Sequence, residues 1–254
     1  MRILITNDDG IFAEGIYRLA KQMQYNGEVV IVAPDGERSA SGHAITMRSP
    51  LMVKRVKFFD TEIEAYSTNG TPADCVKMGI EALFKTKKPD IVISGINDEP
   101  NLGTDVIYSG TVSAAVESAI MGIPSIAVSM GGCKANEFDA AARFTSLLFK
   151  KIIGNNKLHN VVINVNYPDK PEDEIKGIKI TTLGIRKYDN AFIERKDPRG
   201  NIYYWMSGTV REMEQDPDSD IIAVNENYIS ITPIHFDLTS FKHFEELKKW
   251  DIYE

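Results

Sequence analysis

Asp8 and Asp9 stand side by side behind the apolar run RILIT, with Asn7 before them and Gly10 after. Asn, Asp and Gly all favour turns, so a turn is one reading of the segment. Adjacent carboxylates also repel unless positive charge lies between them, and a hard divalent cation is the usual remedy. From these residues alone both readings stand. Oxygen-bearing side chains recur at two further places. Asn97 closes DIVISGIN, and the polar stretch PDGERSASGHAITMRSP (34–50) follows the run VVIVA. In a parallel α/β sheet, ligands bind beyond the carboxyl ends of the strands, so all three segments would meet at one edge. A serine hydroxyl and an amide could then complete a coordination shell and leave room for water and phosphate. With only His43 close by in sequence, Mg²⁺ or Mn²⁺ is favoured over Zn²⁺.

A second pattern is YSGTVSAAVE. Ser109 or Thr111 can cap a helix running to Gly122, with Pro124 beyond it. A plain N-cap suffices, but exposed amides, the helix dipole and a glycine that permits close approach also make an anion site. In GTPAD, Thr71 reads as an N-cap with Pro72 in the first turn and Asp74 as its capping partner. The capping reading is sufficient there, though Asn69 and Gly70, just before it, could touch a ligand. His43 has a possible role in the polar loop. His159 falls at a loop-to-strand junction, His243 in a solvated terminal helix, and His235 with Asp237 reads as a structural pair. The run Tyr203-Tyr204-Trp205 reads as sheet packing rather than a base-stacking platform.

The elements that must carry these residues alternate. RILIT, VVIVA, DIVISG, SIAVSM and VVINV read as strands buried on both faces, because they lack polar alternation. GIYRLAKQM, with Ile16, Leu19, Ala20 and Met23 at helical spacing, lies between the first two, and ADCVKMGIEALF, TVSAAVESAIM and EFDAAARFTSLLFKKI are further helices. Strand and helix in alternation imply parallel strands covered on both sides. The 34–50 stretch is too polar and too rich in Gly and Pro for a helix, and a connection that long in a compact domain is usually functional. MVKRVKFF and IEAYST read as an inserted hairpin. After about Tyr167 the chain becomes β-rich, with IKITTL, NIYYWMSG and YISITPI, and ends in the amphipathic LTSFKHFEELKKW. The expectation is one α/β unit over 1–254: a Rossmann-like three-layer core over 1–167 with a mainly parallel sheet, and a β-rich extension with a terminal helix over 168–254.

The 254 residues are 43% hydrophobic and 26% charged, ordinary for a globular chain that can bury a sizeable core. A formal net charge of −7 argues against a sequence-independent grip on duplex nucleic acid. The two cysteines, Cys75 and Cys133, form no C-x-x-C, so no zinc site is expected, and Cys75 in an apolar helical run reads as a buried, inert thiol. Asn7-Asp8-Asp9 comes too early for a signal-peptide core, and no run approaches membrane-spanning length. The expected setting is the cytoplasm, without a membrane partner.

NDDG after the first strand, ERSASGHAIT, GTPADCV, SGIN, NLG-x-DV-x-YSGTV-x-AA and ISITP-x-x-x-D, in that order, resemble the SurE family over nearly the whole chain. The resemblance implies a metal-dependent phosphatase acting on nucleoside 5′- and 3′-monophosphates. It implies a Rossmann-like domain whose C-terminal extension is exchanged between subunits, in a homodimer or a dimer of dimers. It assigns one divalent ion per subunit to Asp8, Asp9, Ser39 and Asn97, and the phosphate-cradling segment to Ser109, Gly110 and Thr111. Two charged ligands with two neutral ones leave part of a dication's charge for the phosphate, and Asp8 or Asp9 is the group to take a proton from the attacking water. The departure lies in SGINDEPNLG, where similar proteins usually have glycine at the position of Glu99. Glu99 and Pro100 make that loop stiffer and more acidic, which bears on substrate range.

Rival readings fit less well. A receiver domain also places an acidic pair after its first strand and is a regulator, but it would need a helix at the Gly/Pro-rich loop and about half this length, and Asp60 as phosphoacceptor stands in the wrong order. A haloacid-dehalogenase-type phosphatase requires Asp-x-Asp, and a metal-dependent deacetylase wants histidine ligands where Asn7 stands.

Overall fold

A computed structural model describes residues 1–131, 137–153, 160–189 and 192–250. Cys133 and His159 lie outside them. The apolar runs become β1 (Arg2–Thr6), β2 (Glu28–Pro34), β5 (Ile91–Asn97), β6 (Ser125–Met130) and β7 (Val162–Tyr167), with β3 (Val53–Lys57) and β4 (Glu64–Thr68) between β2 and β5. The helices are α1 (Glu14–Met23), α2 (Pro72–Met78, continued by a π turn over Gly79–Leu83), α3 (Gly110–Ile120) and α4 (Glu137–Ile153). Later come β8 (Gly177–Ile180), β9 (Tyr188–Asp189), β10 (Phe192–Lys196), β11 (Ile202–Met206), β12 (Thr209–Val210), α5 (Asp220–Asn225), β13 (Tyr228–Ile234) and α6 (Phe241–Leu247).

Nine strands form one sheet in the order β3-β4-β2-β1-β5-β6-β7-β13-β8. Strands β4, β2, β1, β5, β6 and β7 run parallel, whereas β3 and β13 are antiparallel to their neighbours β4 and β7. Alternate side chains face opposite layers. Ile3 and Ile5 pack in the cluster that buries α1 and α4, while Leu4 packs in the one that buries Cys75, Val76 and Ala114. Ile16, Leu19, Ala20 and Met23 are all buried, as their spacing predicts. The chain reverses its direction of progress through the sheet between β1 and β5, the place where parallel sheets open a crevice at their carboxyl ends.

The hairpin expected at 52–68 forms, but β4 also pairs with β2 and so joins the main sheet. In the same way β13 lies between β7 and β8 inside that sheet. Strands β9 to β12 form two small ribbons outside it. Here the structure departs from the expectation of sheet packing for Tyr203, Tyr204 and Trp205: β11 pairs only with β10, and all three side chains are exposed. No residue of α6 is buried. Among the described residues, no helix is long and apolar enough to cross a membrane.

Candidate metal and phosphate site

The tip of β1 is a turn, and Asn7 is the residue that closes it. Its amide donates to the Gly10 carbonyl at 2.8 Å, and Ile11 N–H donates to the Pro34 carbonyl at 2.8 Å. Gly10 has φ +103°, and a Cβ there would lie 3.1 Å from the backbone of Gly36, so the loop after β2 can press against β1 only past a glycine. Turn formation therefore leaves both carboxylates free for something else.

Asp8, 4% exposed, is bound to the start of α3. Its carboxylate accepts the Thr111 N–H at 3.0 Å and the Thr111 hydroxyl through a short hydrogen bond. Ser109 caps α3 by accepting the Val112 N–H at 3.1 Å. The carboxylate thus sits on the positive end of the helix dipole, where an anion is favoured. Burial nonetheless dominates and raises the Asp8 pKa above the ordinary carboxylate value. Gly110 makes the contact possible, since a Cβ on it would stand 2.8 Å from Asp8 Cβ and Oδ2 and 3.0 Å from Ser41 Oγ.

Asp9 is partly buried, and its pKa is raised to about 8, first by burial and then by the negative charges of Asp8, Asp98, Glu37 and Glu99. Among the described residues neither Asp8 nor Asp9 has an ion-pair partner; the nearby Arg38 pairs with Asp35 at 2.9 Å. Asn97, 8% exposed at the end of β5, donates its amide N–H to the Glu99 carbonyl at 2.6 Å, which commits the nitrogen and leaves Oδ1 to serve as a ligand. A register shift in the β5–β6 pairing lies between Ser94 and Asn97, an irregularity that re-aims side chains beside sites.

Asp8 is thus in direct contact with Gly110 and Thr111, next in the chain to Ser109, while Asp9 follows β1 and Asn97 ends the adjacent strand β5. Ser39 is exposed on the polar loop and donates to Glu37 at 2.8 Å, and no hydrogen bond joins it to either aspartate. Ser41 went unnoticed in the sequence. Its buried hydroxyl has no hydrogen-bond partner among the described residues and faces the Asp8–Gly110 contact, but nothing in R-S-A-S-G distinguishes it from Ser39. The amides expected to greet a phosphate are partly spent already, Thr111 N–H on Asp8 and Val112 N–H on Ser109. Still unspent are the hydroxyl protons of Ser109 and Ser41.

The loop is tied down along its length. Gly42 N–H donates to the Tyr108 carbonyl at 2.9 Å, Thr71 hydroxyl to the Ala44 carbonyl at 2.7 Å, and Thr46 N–H to Asp74 at 3.0 Å. His43 meets buried Glu117 at 2.9 Å, and Glu117 also takes Lys77 at 3.1 Å; these partners hold its pKa below the usual range. Thr71 and Asp74 form the expected capping box. Asn69 accepts Met52 N–H at 2.8 Å, so it serves loop closure. Asp237 accepts Thr239 N–H at 2.9 Å, a local turn in place of a pair with His235. Cys75 is buried, and burial pushes its thiol pKa far up, as befits an inert group.

Among the described residues no three His, Cys, Asp or Glu gather as a ligand group. The donor set is instead two carboxylates with neutral amide and hydroxyl oxygens, which suits a hard cation and not zinc. The uncompensated charge around Asp9 fits such an ion.

The family model described as "Survival protein SurE" matches residues 3–190. A protein of Alkaliphilus metalliredigens named 5′-nucleotidase SurE is 62% identical over 99% of both chains. A protein of the same name from Carboxydothermus hydrogenoformans is 51% identical over 98% of this chain and 96% of its own. The crystal structure of the SurE protein from Aquifex aeolicus is 40% identical, covers 98% of both chains and superposes with a TM-score of 0.84. With that identity, coverage and shared architecture, the chain belongs to the SurE family.

Proposed function

We propose that the protein hydrolyses nucleoside 5′-monophosphates, and 3′-monophosphates as well, to nucleoside and phosphate with one Mg²⁺ or Mn²⁺ per subunit. Asp8, Asp9, Asn97 and Ser39 would hold the ion. The observation that carries this reading is Asp9, partly buried and exposed to the negative charges of Asp8, Asp98, Glu37 and Glu99, with no ion-pair partner among the described residues. The names and closeness of the relatives support the nucleotidase activity. When bound, the ion neutralises phosphate charge and makes a water more acidic.

The chain's own residues divide the remaining work. Thr111 holds Asp8 through both carboxylate oxygens, so Asp8 is an anchored, oriented group. Asp9 carries no such restraint, and it is assigned the proton of the attacking water. As the new O–P bond forms, the ester O–P bond breaks with its electrons on the nucleoside oxygen, which takes up that proton. Hydroxyls of Ser109 and Ser41 donate to the phosphate oxygens. Phosphoryl transfer asks mainly for such positioning and charge compensation.

Phosphate release from AMP or GMP tests the reading. It should vanish with excess EDTA and return with Mn²⁺ or Mg²⁺; full activity in the chelator overturns the metal assignment.

A further inference from the structure

A cleft of about 510 Å³ opens beside the phosphate segment. One wall is the short 3₁₀ helix Gly103–Ile107 with Tyr108, which runs directly into Ser109. The other is the stretch leading from β8 into β9, with Arg211 beside β12. The walls are joined at their base: Arg186 pairs with Asp105 at 3.0 Å, Tyr188 hydroxyl donates to Asp105 at 2.6 Å, and Thr104 hydroxyl donates to the Arg186 carbonyl at 2.9 Å. Asp220 adds a buried brace by accepting N–H groups from both Gly103 (2.8 Å) and Gly184 (2.9 Å). The opening is therefore preformed.

Its lining is unusual for open surface. Ile107, Tyr108, Ile185 and Tyr188 are 68%, 63%, 50% and 46% exposed, and Lys187 and Arg211 stand among them. Small-molecule sites combine such apolar and aromatic walls with a few polar groups, at volumes of this order. Arg211 is paired with Asp189, but Lys187 adds positive charge that would draw an anionic ligand toward a chain of net charge −7. Tyr108 lines this cleft and immediately precedes Ser109, which brings the opening beside the phosphate segment, and a flat, weakly polar ring suits walls of this kind.

We infer that this cleft receives the nucleoside half of the substrate, with the base against Tyr108 and facing Ile185 across the opening. The inference rests on the nucleotidase reading. It makes Tyr108 and Ile185 determinants of specificity, with no part in the chemistry.

The test compares AMP with ribose 5-phosphate, the same ester lacking a base. Tyr108→Ala removes the stacking face, and Ile185→Trp fills the cleft; both side chains are exposed, so both variants should fold. Stacking of a base on an aromatic ring is lost in Tyr108→Ala, which should lower kcat/KM for AMP about tenfold. Ile185→Trp should lower it at least as much, and both should leave ribose 5-phosphate within about twofold of wild type. If AMP and ribose 5-phosphate fall together, or neither falls, the cleft is not the nucleoside site. If the wild-type protein releases phosphate from neither, the nucleotidase reading fails and takes the cleft with it.

Discussion

Gly110→Ala is the smallest change that interrogates the contact between β1 and α3. The new methyl would lie 2.8 Å from Asp8 Cβ, 2.8 Å from Asp8 Oδ2 and 3.0 Å from Ser41 Oγ. None of these atoms is a loose chain end. Asp8 is buried, with its carboxylate bound by Thr111, and Ser41 belongs to a loop tied at Gly42 and His43. Relief requires β1's tip and the helix start to part, which as overpacking should cost about 1–3 kcal/mol of stability. The larger effect should be catalytic. Displacing a positioned group by roughly 1 Å costs on the order of a hundredfold in rate, or about 2.7 kcal/mol of barrier. The assay is kcat/KM for phosphate release from AMP, alongside a urea melt to show the variant folded. Gly36→Ala is the control: a Cβ there meets nothing within 4 Å, so its stability should stay within about 0.5 kcal/mol. If Gly110→Ala retained kcat/KM within about threefold of wild type, the Asp8–Gly110 contact would not be what positions the site.

Asn97→Asp keeps the ligand's shape but adds a third negative charge; it should bind Mn²⁺ at least as tightly by calorimetry while turning over on the order of a hundredfold more slowly, and normal turnover would place Asn97 outside the ion's shell. Replacing Asp220 with Asn exchanges one of its accepting oxygens for a donor opposite the N–H groups of Gly103 and Gly184, so about 1–3 kcal/mol should be lost in a urea melt; an unmoved midpoint refutes the brace. Truncation after Asp237 removes α6 with Phe241, Phe244, Leu247 and Trp250, all exposed in the single chain; if these side chains dock on a second subunit, the mass by light scattering should drop, and an unchanged mass refutes the exchange of the C-terminal segment.

That cut lies after Asp237 for a reason that local pattern did not reveal. YISITPI is visibly a strand, but nothing in it announces that it lies between β7 and β8 inside the main sheet, antiparallel to the first and parallel to the second. A deletion from Asn227 onward would split the sheet and report on folding instead of association. The first half of the fold is far more legible, because strands buried on both faces show as unbroken apolar runs and the α1 stripe shows at helical spacing. The site is legible in its parts and not in its joints. Asp8, Asp9, Asn97 and Ser109 announce themselves by type and place, yet the hydrogen bond from Thr111 to Asp8 spans 103 residues and leaves no local trace. The ribbon aromatics misled for the opposite reason. Composition alone reads an aromatic strand as core, and only the pairing shows that β11 has a single neighbour.

The doublet at the head of the chain owes its logic to asymmetry. Two equivalent carboxylates would compete for one ion and one proton. Here the chain gives them different surroundings from adjacent positions in the bend that follows β1. Asp8 turns toward α3, where two Thr111 donors and the helix dipole stabilise its charge. Burial first, and then its acidic neighbours, make the charge of Asp9 costly and raise its pKa to about 8. A dication reverses that cost, because the same negative field that disfavours the lone carboxylate attracts the metal. Glu99 belongs to this field and stands where the family pattern leads one to expect glycine. Its backbone carbonyl also takes the Asn97 amide. With the ion placed as proposed, the charge this chain adds to the loop would act on the cation first, and on the substrate through it.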